Sequence, residues 1–134
     1  MDYKSLDLTD QFVELIRRAA TQLPQDMRQG LKKAKSNEEP GSAAEGALDT
    51  ILLNVDIAEK NSTPICQDTG TPIFEVSYPV GVSTRKLADQ IRKAAAVATQ
   101  NNYLRPNAVD SLTGKNSGDN TGEDFPTMHF PIKN

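Results

Sequence analysis

Apolar residues recur at helical spacing through roughly the first hundred positions, and that period limits the fold more than any other property of the chain. Phe12, Leu15, Ile16, Ala19, Ala20 and Leu23 fall at i, i+3, i+4, i+7, i+8 and i+11, one face of an amphipathic helix. Asp7 or Thr9 is placed to cap its start by accepting backbone N–H groups. Pro24 ends this helix or opens the next. A second, weaker helix is predicted with Met27, Leu31 and Ala34 inward and Lys32, Lys33 and Lys35 on a solvated face near its C-terminus. After a break at Asn37–Gly41, Ser42-Ala43-Ala44-Glu45 reads as a capping box, hydroxyl forward and carboxylate back to the cap. Ala47, Leu48, Ile51, Leu52, Val55 and Ala58 then form a continuous stripe that should end near Lys60-Asn61. Ser83 or Thr84 can cap a fourth helix whose inward face is Leu87, Ile91, Ala94, Ala95 and Ala98.

The rest of the chain changes period. Phe74, Val76 and Tyr78 alternate with Glu75 and Ser77, which predicts a strand of about six residues with one buried face. Pro79 and Gly81 end it. Pro106–Asp124 is rich in Gly, Asn, Asp, Ser and Thr and reads as a long loop, a length that is uncommon unless the loop is functional or disordered. Thr127–Ile132 reads as a further short strand. Four helices and short strands predict an α+β fold, helix-rich with a small β-sheet. At 134 residues the chain is the size of one domain. It can fold without a disulfide or a structural metal. Yet only 37% of it is hydrophobic, much of that alanine, with no tryptophan. The expected core is thin, and it leans on a partner or second domain for part of its burial.

Charge and leader signals narrow the function classes. The net charge of −3 does not favour non-specific nucleic-acid binding. The apolar runs fall far short of the roughly 20 residues that span a bilayer. Met1-Asp2-Tyr3-Lys4 has no signal-peptide layout. A cytoplasmic, soluble domain is the expectation, and a single cysteine fits a reducing compartment.

That cysteine sits in Pro64-Ile65-Cys66-Gln67-Asp68-Thr69-Gly70-Thr71-Pro72, where a thiol, an amide, a carboxylate and a hydroxyl lie between prolines. Its polar neighbours describe an exposed turn after a helix. Buried filler, metal ligand and nucleophile all remain open for Cys66. The only histidine, His129, lies 63 residues on, and one Cys with one His does not make a zinc site. Asp68-Thr69-Gly70 also matches the aspartic protease tripeptide, but the apolar β context and second copy are missing. Its bland reading is a tight turn, with the Asp side chain on backbone and Gly at positive φ. The segment Ser111–Gly122 fails as a P-loop, because Val109 and Asn116 stand where Gly and Ser or Thr are needed. It fails as an EF-hand as well. Arg105, in Tyr103-Leu104-Arg105-Pro106-Asn107, is either solvated at a helix end or suited to a bidentate carboxylate pair.

The run Pro64-Ile65-Cys66-Gln67-Asp68-Thr69-Gly70-Thr71 resembles the N-terminal signature of the class I fumarate hydratases, shared with tartrate dehydratase alpha subunits. The resemblance extends over essentially the whole chain. It takes in Ile16-Arg17-Arg18-Ala19, Leu23-Pro24, the helix Leu48 to Lys60 and Leu104-Arg105-Pro106-Asn107-Ala108. It continues through Gly118-Asp119-Asn120-Thr121-Gly122 with Pro126 and His129-Phe130. It implies an iron–sulfur hydro-lyase that adds water reversibly across a carbon–carbon double bond, as in fumarate to malate. Three cysteines of such enzymes hold a 4Fe–4S cluster whose fourth iron stays open to substrate. By the same resemblance, Cys66 is the first cluster ligand and Gln67 hydrogen-bonds substrate. Asp68 is the catalytic proton donor to the departing hydroxyl, and Arg105 clamps a substrate carboxylate.

The chain departs from the family pattern in lacking the other two cluster cysteines and the later Gly-rich, Lys-containing segment. Residues 1–134 are therefore expected to be the N-terminal domain of a longer subunit, holding no cluster alone and inactive alone. Its partners would be a dicarboxylate substrate (fumarate, malate or tartrate) and the rest of its own subunit or a beta subunit, within an oligomer. The alternatives are a tartrate dehydratase alpha-subunit domain, a non-catalytic assembly domain with the same fold, and a redox-sensing thiol.

Overall fold

The computed structural model describes residues 5–68 and 70–131. Met1–Lys4, Thr69 of the cysteine motif and Ile132 of the last expected strand lie outside the described residues. The element order is α1 (Thr9–Thr21), α2 (Gln25–Ser36), α3 (Ala43–Asn61), β1 (Ile73–Glu75), α4 (Thr84–Gln100) and β2 (Thr127–His129). The fold is α+β, helix-rich with one small sheet.

The helix starts follow local chemistry. Asp7 Oδ1 accepts the Thr9 N–H at 2.9 Å and the Thr9 hydroxyl at 2.6 Å, so it serves the start of α1 although Leu8 is the N-cap residue. Ser42 Oγ accepts the Glu45 N–H at 3.1 Å. The Glu45 carboxylate returns one residue earlier than the capping box predicts, to the Gly41 N–H at 2.7 Å. Ser83 Oγ accepts the Lys86 N–H at 3.3 Å and caps α4.

Helices α1 and α4 pack together, and β1 closes against both. Phe12, Ile16, Phe74, Leu87, Ile91, Ala94, Ala95, Ala98 and Leu104 form one buried cluster. Phe12 and Phe74 meet edge to face, with ring centroids 6.1 Å apart. All five residues expected to face inward from α4 are buried. Three of the cluster's side chains, Ala94, Ala95 and Ala98, are alanines on α4, and this lets α1 approach closely.

Helices α2 and α3 form a second pair. Here the sequence expectation needs correction. Met27 is 56% exposed, Ala34 is exposed and Leu31 is only half-buried. Arg28 turns toward α3 instead, pairing with Asp56 and, at 2.7 Å, with Glu59. Lys35, expected on a solvated face, pairs with Asp49 at 2.6 Å. The α2–α3 seam is therefore held by charges where an apolar face was expected. Of the predicted α3 stripe only Val55 and Ala58 are buried, and Ile51 is 45% exposed. On α1, Leu15 and Ala19 are likewise exposed.

The strand expected at Phe74–Tyr78 is also shorter than predicted. Strand β1 pairs in parallel with β2 in the register Ile73↔Thr127, Phe74↔Met128 and Glu75↔His129. Prolines bound the pairing: Pro72 precedes β1, Pro126 precedes β2 and Pro131 follows closely, and none can donate to the ladder. One further bond, Val76 N–H to His129 O at 2.8 Å, extends it. The crossover through α4 and the loop 101–126 is what allows parallel strands so close in sequence.

Candidate functional site

The cysteine motif leaves α3 through a left-handed turn. Ser62 has φ 51°, and the Thr63 N–H reaches back to Ala58 O at 3.0 Å. Arg17, already paired with Glu14, donates to Ser62 Oγ at 3.2 Å. The next residue with both backbone groups held is Ile65. Its N–H donates to Ala20 O at 3.1 Å, and its carbonyl accepts from Asn54 Nδ2 at 2.8 Å. At the far end, Gly70 O accepts from Asn107 Nδ2 at 3.2 Å, and Pro72 O accepts the Thr127 N–H at 3.2 Å. Gly70 has φ 67°, a conformation that favours glycine.

Between those tethers, Cys66, Gln67 and Asp68 are exposed. Among the described residues, neither the Gln67 amide nor the Asp68 carboxylate makes a hydrogen bond. The bland reading of Asp68, a side chain spent on its own turn, is therefore not what the structure contains. The motif is fixed at both ends and leaves the side chains of Cys66, Gln67 and Asp68 to solvent. Cys66 is a free, exposed thiol, not a core residue.

Arg105 is linked to this loop through its own segment. Leu104 and Ala108 are buried at 7% and 2%, and they seat a short segment that leaves Arg105 and Pro106 exposed between them. Asn107 of this segment makes the bond to Gly70, so the Arg105 segment and the cysteine motif are joined directly. His129 sits in β2 opposite Glu75, and among the described residues no hydrogen bond joins it to Cys66.

The long loop is ordered by asparagines and turn carboxylates. Asn120, fully buried, accepts the N–H groups of Asn107 at 2.8 Å and Ala108 at 3.1 Å. Asp119 accepts the Thr121 hydroxyl at 2.7 Å and N–H at 2.9 Å, which holds its carboxyl below the ordinary range. Asp110 is lowered likewise by the N–H and hydroxyl of Thr113. Sequence reasoning left Asn54, Asn107 and Asn120 without a role. The signal it had was the density of turn formers around Gly118–Gly122.

Among the described residues no group of three or more His, Cys, Asp or Glu side chains is placed to hold a metal. Cys66 can supply one thiolate and the rest of any cluster site must come from elsewhere. A groove of about 580 Å³ runs beside the motif between α1 and β1, lined by Phe12, Leu15, Ile16, Ala19, Ile73 and others. It is mostly apolar and does not include Cys66, Gln67 or Asp68, although Thr71 and Pro72 at the end of the motif line it. No helix among the described residues is long and apolar enough to cross a membrane.

Residues 9–134 match the family described as Fumarate hydratase (Fumerase). A Geobacillus stearothermophilus protein provisionally named a class I fumarate hydratase is 46% identical over 123 residues, covering 92% of this chain and 24% of that protein. A Methanocaldococcus jannaschii protein provisionally named an L(+)-tartrate dehydratase subunit alpha is 34% identical, covering 93% of this chain and 45% of its own length. The L(+)-tartrate dehydratase subunit alpha of Escherichia coli K12 is 31% identical, covering 84% of this chain and 37% of its own length. The chain thus spans between about a quarter and a half of these relatives.

Proposed function

The chain belongs to the fumarate hydratase (Fumerase) family, and from that premise we propose that it is the N-terminal, substrate-facing domain of an iron–sulfur hydro-lyase. The reaction is the reversible hydration of fumarate to malate in the cytoplasm. The observation that carries this reading is the Cys66–Asp68 loop, tethered at Ile65 and Gly70 with its side chains free, and clipped to the Arg105 segment by Asn107. Free polar side chains on a fixed backbone are what a site needs to bind without a large ordering cost.

Cys66 fits as one thiolate ligand of a 4Fe–4S cluster completed by residues outside this chain. Bound there, the cluster would supply a Lewis-acidic iron toward the substrate hydroxyl and carboxylate. The Gln67 amide orients the substrate by hydrogen bonding. In the dehydration direction, Asp68 is the group that protonates the departing hydroxyl, which leaves as water while the carbon–oxygen bond breaks. The carbon-bound proton goes to a base outside this chain. Arg105 holds a substrate carboxylate through its planar fork.

Two relatives carry tartrate dehydratase alpha-subunit names, which supports L(+)-tartrate as the second candidate substrate and a beta subunit as a partner. Leu15, Ile51, Leu53, Ile57 and Ile73 are between 45% and 69% exposed. Apolar exposure on this scale fits a domain whose remaining cover comes from the extra length that the relatives carry, within an oligomer. Steady-state assay of the complete, anaerobically reconstituted subunit on malate, fumarate and L(+)-tartrate tests the reading. Turnover of one acid, tracking iron and sulfide content, is the expected result. A fully loaded enzyme that neither hydrates nor dehydrates any of the three would leave the non-catalytic assembly domain standing.

A further inference from the structure

We propose that Asn120 and Asn107 form a two-asparagine relay that fixes the Arg105 segment against the Cys66–Asp68 loop, making both of them positioning residues of the candidate site. The inference rests on the reading above only in taking Arg105 and Cys66–Asp68 as parts of one site.

Asn120 uses its whole hydrogen-bonding capacity. Its carbonyl accepts the Asn107 and Ala108 N–H groups, and its amide donates to Thr99 Oγ1 at 3.0 Å and to Arg105 O at 2.7 Å. The side chain is 0% exposed, so none of these bonds has water as a substitute. Three of the four partners lie between Arg105 and Ala108, which pins that short backbone from both sides. The fourth, Thr99, is buried in the last turn of α4, the helix whose Ile91, Ala94, Ala95 and Ala98 are at 0% exposure. The relay therefore starts on the most deeply packed element. It ends at the motif, where Asn107 Nδ2 reaches Gly70 O. The Asn120 backbone is left-handed, with φ 59°, which asparagine tolerates better than most other side chains. Backbone conformation and side-chain bonding thus ask for the same residue.

A nitroxide on Cys66, the single cysteine, reports the motion of the motif without background labelling. In the unsubstituted chain a restrained spectrum is expected. Asn107→Ala should shorten the label's correlation time about threefold or more with little change in thermal midpoint, because it releases a local tether. Asn107→Gln, which keeps a donating amide, should recover part of the restraint. Asn120→Asp keeps the acceptor but loses both donated bonds, and should mobilise the label while lowering the midpoint. If Asn120→Asp does not fold, Asn107→Ala alone decides. A label already fully mobile in the unsubstituted chain, or one whose spectrum Asn107→Ala leaves unchanged, overturns the relay. In the complete enzyme Asn107→Ala should raise KM and lower kcat, each severalfold, at unchanged cluster content. If the unsubstituted enzyme proves inactive, the hydro-lyase reading falls while the spin-label result still decides the relay.

Discussion

Helices α3 and α4 carry similar apolar stripes and meet different fates. Helix α4 buries Leu87, Ile91, Ala94, Ala95 and Ala98 against α1 and β1. Helix α3 buries only Val55 and Ala58, and leaves Ile51, Leu53 and Ile57 between 45% and 59% exposed. Periodicity reports that a helix has an apolar face; it does not report whether the same chain supplies the cover. The α1–α4 half encloses the buried cluster, whereas the α2–α3 half is seamed by Arg28 and Lys35 and open on its outer side.

Substitutions that treat the two halves alike should sharpen that contrast. The largest effect is expected from Ile91→Ala, which opens a cavity at a position with 0% exposure. Denaturant unfolding should show a loss of about 2–5 kcal/mol. A loss below about 1 kcal/mol would mean that the α4 face is loosely packed. Arg28→Ala removes both partners' charge contacts across the α2–α3 seam and should cost about 1 kcal/mol or less, since the carboxylates are solvated. A larger cost would make the seam as much a core as the α4 face. Leu53→Ser, at a 59% exposed position, should change the stability of this chain by no more than about 0.5 kcal/mol. In the complete enzyme the same substitution should cost more if α3 is covered there.

Acid should act through carboxylates that the fold holds below their ordinary range. Arg17 and Arg18 hold Glu14 down to about 2, from an ordinary 4.5. Asp7, Asp110 and Asp119 are lowered in the same direction by hydrogen bonds to Thr9, Thr113 and Thr121. Each carboxyl binds its proton more weakly when folded than when unfolded. Their stabilisation is therefore present above about pH 4.5 and fades as pH falls toward about 2. Thermal midpoints should decline over that window, by less at high salt. A flat profile would show that these pairs contribute nothing to the fold.

The four helices and the inward face of α4 were legible because a 3.6-residue period is a local signal. The length of β1 was not, since the partner strand and its flanking prolines set it from more than fifty positions away. The inward side of α2 was misread because Arg28 finds Asp56 and Glu59 only once α3 lies alongside. At the candidate site, the exposed setting of Cys66 could be argued from its polar neighbours. The roles proposed for Cys66, Gln67, Asp68 and Arg105 rest on the resemblance alone. The tethers that hold them in place were invisible: Asn54 to Ile65 spans 11 positions and Asn107 to Gly70 spans 37. A side-chain amide that bonds distant backbone leaves no periodic trace, and Asn120 in a Gly-rich loop looks like any other turn former.

The central claim is that the exposed triplet after α3 does chemistry and does not serve the fold. Cys66→Ala should leave the thermal midpoint of this chain unchanged within about 2 °C, as expected for an exposed side chain. The most direct measurement is Asp68→Asn in the complete, reconstituted enzyme, with turnover and iron–sulfur content determined on one sample. The account predicts turnover reduced by about a hundredfold or more at full cluster content. Equal loss of turnover and cluster, or no loss of either, would contradict it.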